Sequence, residues 1–164
     1  MEIFQLTLIV AAFLCSLVAG FVFAFAVVVM PGIGSLGDGG FLQAFQVMDR
    51  VIQNNQPMFL LVWMGSVVAL LASAVFGWGQ LDGTGRLLMI VAVLVYLIGV
   101  QLPTVTINIP LNNTVQILEI DAMDETALAA ARREFESRWN TWNSIRTVLA
   151  SLVSVLLIIL LLRL

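Results

Sequence analysis

Side chains able to do chemistry are concentrated in one polar stretch near the end of the chain, residues 138–147. Four of them fall at positions i, i+3, i+4 and i+7 of a helix and would share one face: Trp139, Trp142, Asn143 and Arg146. Such a face offers indole rings, which can stack on a flat aromatic ligand, and a guanidinium, which can stabilise an oxygen anion. A second interpretation stays open, with tryptophans at the lipid headgroups and an arginine that extends to the membrane surface.

The composition indicates an integral membrane protein. Of the 164 residues, 61% are hydrophobic and only 10% are charged, and the mean hydropathy is +1.07. Soluble domains carry about 25% charged residues. The formal net charge is −3, and the basic residues are all arginines spread along the chain, so we predict no surface for nucleic acid.

The chain lacks histidine and has a single cysteine, Cys15, inside the first apolar segment. Disulfides, metal sites built from His or Cys, haem ligation by His and the Ser-His-Asp triad are thereby excluded. We therefore predict neither a metal site nor a bound cofactor, and we interpret Cys15 as a small core residue. Carboxylates, arginines, amides, hydroxyls, Tyr96 and tryptophans remain available for catalysis or binding.

Four apolar segments predict an all-α fold, a four-helix bundle in the membrane that forms a single transmembrane domain over residues 1–164. The predicted spans cover about residues 4–30, 57–78, 86–109 and 140–163. The first is free of charge from Ile3 to Met30 and lacks the basic start of a signal peptide, so we expect a retained, tilted span. Gly20 lies among small residues there and is predicted to let another helix approach closely.

The segments between the spans predict further features. A Gly-rich stretch after Pro31 would form a flexible loop, and residues 41–53 repeat apolar side chains at helical spacing. They predict a short amphipathic helix on the membrane surface or over the mouth of the bundle. Pro103 is expected to kink the third span and Pro110 to end it. Since no Gly or Pro follows Asp124, we predict one long final helix with a water-exposed first part.

Arg146 is predicted to be buried in the membrane. The apolar residues that follow it, 147–162, would span only about 24 Å as a helix, less than the ~30 Å hydrocarbon core. The span must therefore draw Arg146 below the surface, where an unpaired charge costs several kcal/mol. Its candidate acceptors are Asp49, Asn112, Asn143 and backbone carbonyls near Pro110.

The two longest connections, residues 31–56 and 110–138, lie on the same side of the membrane if the chain crosses four times. That side would hold a polar and aromatic mouth at one end of the bundle. It also carries more arginines than the opposite side, which favours the cytoplasm. The four spans predict a multi-pass membrane protein, which in a bacterium would lie in the cell membrane.

Four blocks of sequence follow one another along the chain. They are Val-Met-Pro-Gly at 29–32, Phe-Gln-Val-Met-Asp-Arg-Val-Ile-Gln-Asn at 45–54, Asn-Ile-Pro-Leu-Asn-Asn at 108–113 and Arg-Trp-Asn-Thr-Trp-Asn-Ser-Ile-Arg-Thr at 138–147. Together they resemble the anthrone-oxygenase-like family of small membrane proteins, most of whose bacterial members carry only a domain-of-unknown-function label. The resemblance implies a four-span α-helical protein. For some fungal members of the family, it also implies oxidation of polycyclic anthrones to anthraquinones without metal or flavin. Its motifs direct attention to Asn54, Pro110, Asn112, Trp139, Trp142, Asn143 and Arg146.

Two functions are consistent with these residues. In the first, the protein is a cofactor-independent monooxygenase of flat, anthrone-like substrates, with Arg146 stabilising an anion and Asp49 accepting a proton. The residues predicted to bind the substrate are Asn54, Asn112, Trp139, Trp142 and Asn143. In the second, it is a non-catalytic module that binds a lipid or small molecule, or an accessory subunit of a membrane assembly. The expected partners are the lipid bilayer and a flat hydrophobic molecule, with an oligomer or assembly partner left open.

Overall fold

Helices account for nearly all of the chain. The computed structural model describes residues 2–164, and that range contains helices and connecting turns but no strand. The helices are α1 (Ile3–Gly34), α2 (Asp38–Gln53), α3 (Pro57–Gly77), α4 (Gly83–Gln116) and α5 (Glu125–Leu162). All but α2 are long and apolar enough to cross a membrane. The predicted four-helix membrane bundle, with a short amphipathic helix after the first span and a long fourth span, is confirmed.

Helix α1 lies at the centre of the bundle, with α3 along one side and α5 along the other. The shared core is formed by side chains such as Phe4, Leu8, Leu70 and Leu157, all fully buried. Helix α4 packs on α5 and meets α3 chiefly near the short turn that joins them. Because α3 and α4 make little contact further from this turn, space remains between them at the other end of the bundle, which we call the wide end.

Three prolines lie within the spans, and each one follows a π-helical stretch. Phe25–Val29 precedes Pro31, while Val95–Gln101 and Thr104–Asn108 precede Pro103 and Pro110. A proline ring displaces the carbonyl four residues earlier, and a π-turn shifts the hydrogen-bond register so that the helix can continue. The expected helix ends at Pro31 and Pro110 are therefore wrong, since α1 continues to Gly34 and α4 to Gln116.

Helix α2 covers the wide end with its apolar face. Its residues Phe41, Leu42 and Phe45 are buried. The Phe45 ring packs edge-to-face on Phe135 of α5, with ring centroids 4.5 Å apart. Arg132 of α5 donates to the Asp38 carboxylate at 3.1 Å, and also to the backbone carbonyls at the end of α1. The aromatic packing and this arginine fix α2 as a lid over the cavity described below.

At the opposite end of the bundle, Asp82 caps the start of α4 in the short turn that follows α3. Its carboxylate accepts a hydrogen bond from the backbone N–H of Gly85 at 2.6 Å and another from Arg163, the residue after α5, at 2.9 Å. The Gly85 hydrogen bond and the nearby Arg163 charge hold the pKa of this exposed carboxyl below its usual value. Its contribution to stability is therefore present at neutral pH and is lost only as pH falls below about 4.

The close helix approach in the core occurs at Gly77 rather than at Gly20, which corrects the expectation from the sequence. A Cβ on Gly77 would collide with the buried ring of Phe4, whereas a Cβ on Gly20 would meet no atom within 4 Å. Gly77→Ala is therefore expected to lower the free energy of unfolding by about 1–3 kcal/mol. Thermal unfolding in detergent would measure this. Gly20→Ala is the matched control and should be neutral or slightly stabilising; an equal loss in both variants would contradict the packing.

Candidate functional site

A cavity of about 320 Å³ lies at the wide end, lined by residues of all five helices. Its size is within the range of small-molecule sites. The walls are mostly apolar and aromatic, and the polar side chains are few. The lining residues of α1 and α2 are Phe21, Val22, Phe25, Phe45, Asp49 and Ile52. Those of α3, α4 and α5 are Phe59, Leu60, Trp63, Met64, Gln101, Thr104, Val105, Asn108, Ile109, Asn112, Trp139, Asn143 and Arg146.

Two groups of aromatic rings form the walls. In the first group, Phe59 and Trp63 of α3 are stacked with their ring centroids 5.3 Å apart, and Phe21 packs edge-on against both. In the second group, Trp139 lies 5.7 Å from Phe25 and 5.6 Å from Phe45. Ring faces and edges of this kind favour a flat aromatic ligand.

Arg146 reaches the cavity from α5 and is 4% exposed. Its Nη1 donates to the Thr104 hydroxyl and its Nη2 to the Asn143 side-chain oxygen, each at 2.9 Å. Thr104 in turn donates to the Val100 carbonyl, and the Asn143 amide donates to the Val22 carbonyl at 3.0 Å. The guanidinium is thus held in place by α4, α5 and, through Asn143, α1.

The partners of Arg146 are all neutral. Asn143 was among the acceptors expected from the sequence, but Asp49 and Asn112 make no hydrogen bond to the guanidinium within residues 2–164. Thr104 was missed as a partner because hydroxyl residues in a span usually bond their own helix. The guanidinium also lies 5.9 Å from the Trp139 ring, which adds a weak cation–π contact.

Asp49 of α2 organises a second polar network above Arg146. The indole N–H of Trp139 donates to Asn112, and the Asn112 amide donates to Asp49 Oδ1, each bond measuring 2.7 Å. Gln53 and Gln116 both donate to Asp49 Oδ2 at 2.9 Å. One carboxylate therefore joins the lid α2 to α4 and, through Asn112, fixes the orientation of the Trp139 ring.

Three buried polar atoms of residues on the cavity wall have no partner among the described residues: Arg146 Nε, Asn108 Oδ1 and Gln101 Nε2. Asn108 Nδ2 faces the Trp139 carbonyl at 3.4 Å, which fixes the direction of the amide and leaves Oδ1 free. Buried polar atoms without a partner are uncommon, and a bound water or ligand is one explanation for them.

The structure brings five of the predicted site residues together on the cavity wall: Asp49, Asn112, Trp139, Asn143 and Arg146. Two others do not line it. Asn54 is exposed at the end of α2, and Trp142 is half-buried because its position is rotated by about 60° from Trp139 on α5. The sequence did not single out the rings contributed by α1 and α3, since Phe21, Phe59 and Trp63 look like ordinary lipid-facing or core residues within an apolar span.

The cavity opens sideways between α3 and α4. Leu60 and Met64 on α3, and Val105 and Ile109 on α4, line it while remaining 39%, 58%, 61% and 43% exposed. Such apolar side chains at the level of the spans would face lipid tails. A hydrophobic molecule dissolved in the bilayer could therefore enter without crossing the aqueous phase.

The helices and the enclosed cavity define a multi-pass α-helical membrane protein with an aromatic, largely apolar site that contains one buried cation. A family model described as anthrone oxygenase matches residues 47–156, and the chain belongs to this family. The matched range includes every predicted site residue and begins within α2. Comparisons with curated proteins and with solved structures gave no match.

Proposed function

We propose that this protein is a membrane-embedded, cofactor-independent oxygenase that converts flat, anthrone-like ketones into quinones. Its membership of the anthrone oxygenase family supports the reaction class. The observation that carries the proposal is the buried Arg146 guanidinium, which faces an aromatic cavity and has only neutral protein partners. A cation in such surroundings stabilises negative charge that develops on a substrate oxygen.

The first step of the proposed reaction is proton removal from the methylene carbon opposite the ketone. Asp49 is the only carboxylate on the cavity wall, and its Oδ1 accepts a single hydrogen bond, from Asn112, so a lone pair remains. The ketone oxygen then becomes an enolate oxygen beside Arg146. The ketone and the methylene lie on opposite sides of the central ring of the substrate. The proton acceptor and the cation must therefore be separated, which agrees with the lack of a hydrogen bond between Asp49 and Arg146.

The remaining steps need molecular oxygen as oxidant. The enolate carbon forms a bond to O₂, and the resulting peroxide takes back the proton from Asp49. The carbon then loses its second proton, and the O–O bond breaks to leave a carbonyl. The hydroxide released from the peroxide takes up this second proton and becomes water. Overall, the methylene carbon loses two hydrogens, gains one oxygen atom from O₂, and the other oxygen atom leaves as water.

The test is oxidation of anthrone by the purified protein under isotopically labelled oxygen gas. We expect quinone formation well above the spontaneous rate in the same detergent. One labelled oxygen should appear in the quinone and one in water, as the balance requires. A rate equal to that of protein-free micelles would remove the oxygenase proposal.

The sideways opening also supports a second candidate function, a non-catalytic site for a lipid or other small hydrophobic molecule. Four exposed apolar residues, Leu60, Met64, Val105 and Ile109, border the cavity and would contact acyl chains. Native mass spectrometry of the protein in mild detergent separates the two candidates. A phospholipid retained at one copy per chain, together with no turnover, would favour the binding function.

A further inference from the structure

Arg146 has unused hydrogen-bonding capacity toward the cavity. A guanidinium carries five N–H donors, and the protein accepts two of them, through Thr104 and Asn143. Nε has no hydrogen-bond partner among the described residues. Burial of a cation at this depth costs several kcal/mol unless an anion or several strong acceptors compensate it. The protein itself supplies only two neutral oxygens.

No other charge near Arg146 compensates it. Asp49 is the only other charged side chain on the cavity wall, and it accepts hydrogen bonds from the amides of Gln53, Asn112 and Gln116 but none from Arg146. Helix α3 carries no charged residue. The titratable groups deeper in the bundle, Cys15 and Tyr96, are buried and do not line the cavity. The compensating negative charge is therefore expected to come from a ligand.

We propose that the cavity binds planar polycyclic phenols as their anions, with the phenolate oxygen at the Arg146 guanidinium and the rings between the Phe59–Trp63 stack and Trp139. The inference rests on the cavity being the substrate site of the proposed function. It adds that the site binds phenolates as well as the enolate of the proposed reaction, and therefore accepts phenols with no oxidisable methylene.

The remaining polar groups define the orientation of the ligand. Asn108 is four residues beyond Thr104 on α4, so its free oxygen lies about one helical turn nearer the wide end than the guanidinium. Asn108 Oδ1 and the Asp49 carboxylate both repel an anionic oxygen. The negative end of the ligand is thus directed inward to Arg146.

The probe for this proposal is 9-phenanthrol, a three-ring phenol whose neutral and ionised forms differ in absorption and fluorescence. It is titrated without oxygen against the protein in non-ionic detergent, from neutral to alkaline pH. We expect the pKa of the bound phenol to fall relative to that of the phenol in empty micelles. Arg146→Gln should abolish the fall and weaken phenolate binding by about ten- to a hundredfold. Arg146→Lys should retain part of it.

Two controls separate the site from the micelle. Arg138→Gln removes an exposed arginine two turns away on α5 that does not line the cavity, and it should change nothing. The neutral ether 9-methoxyphenanthrene should bind wild type and Arg146→Gln equally. An unchanged or raised phenol pKa in wild type would overturn the proposal, and so would equal effects of the two arginine substitutions. Displacement of the probe by oleate at equal or lower concentration would instead assign the cation to fatty-acid carboxylates.

The binding test and the turnover test can fail separately. Anionic binding of 9-phenanthrol with no oxidation of anthrone would keep the ligand class and remove the oxygenase. Oxidation of anthrone with no ionised binding of the phenol would keep the oxygenase and remove this inference.

Discussion

Arg146→Gln is expected to lower kcat/KM for anthrone oxidation by about 100- to 1000-fold, the loss typical when a buried donor to a developing oxyanion is removed. Glutamine is neutral, so the enolate oxygen would lose its only cationic partner on the cavity wall. Steady-state quinone formation, followed by absorbance and corrected for the spontaneous rate, measures the effect. The loss should appear in kcat as well as KM because the negative charge is greatest after the proton has left.

The stability of the same variant distinguishes a functional residue from a structural one. Because Arg146 is a buried charge with neutral partners, its replacement should leave Tm unchanged or raise it. Activity and stability would then move in opposite directions. Arg138→Gln is the matched control and should retain full activity. A large fall in Tm for Arg146→Gln, in parallel with lost activity, would indicate that the arginine serves mainly to hold the helices together.

Asp49→Ala is expected to lower the free energy of unfolding by about 3 kcal/mol. The substitution leaves the amide donors of Asn112, Gln53 and Gln116 without their charged acceptor, and hydrogen bonds to charged groups contribute about 1.5–3 kcal/mol each. Part of the loss is recovered because Gln53 and Gln116 also donate to Asn113 and Gln46. Thermal unfolding in detergent measures the change.

The same variant should also alter Trp139. Asn112 accepts the indole N–H at 2.7 Å and is itself held by Asp49, so its release allows the ring to turn. Tryptophan fluorescence should therefore change along with Tm. The control is Asp121→Ala, an exposed carboxylate in the connection before α5, for which a change within about 0.5 kcal/mol is expected. Similar Tm values for Asp49→Ala and wild type would show that the lid does not depend on this network.

Asp49→Asn separates the proposed proton acceptor from the scaffold. The amide retains one oxygen for Asn112 and has nearly the same shape, so the loss of stability should be smaller than in Asp49→Ala. Loss of turnover with most of the stability retained would support a role in proton transfer. Full turnover would leave Asp49 as a positioning residue only.

Much of the architecture follows from the order of residue types. Long apolar segments predict the four spans, and the lack of Gly or Pro after Asp124 predicts α5 as one helix. The prolines were less informative, because a proline can end a helix or be accommodated by a π-turn. At Pro31 and Pro110 a π-turn accommodates the proline and the helix continues. Phe25 and Asn108 lie in these π-helical stretches and line the cavity.

The sequence alone determined the class of this protein and the composition of its polar α5 face, because helical spacing makes Trp139, Asn143 and Arg146 neighbours in any fold. Only the tertiary structure decided what surrounds that face. Thr104, rather than Asp49, accepts from the guanidinium, and the stacked rings of Phe59 and Trp63 form part of the cavity wall. These contacts join residues far apart in the chain, and they depend on how α3 and α4 separate from each other at the wide end, which local periodicity does not encode.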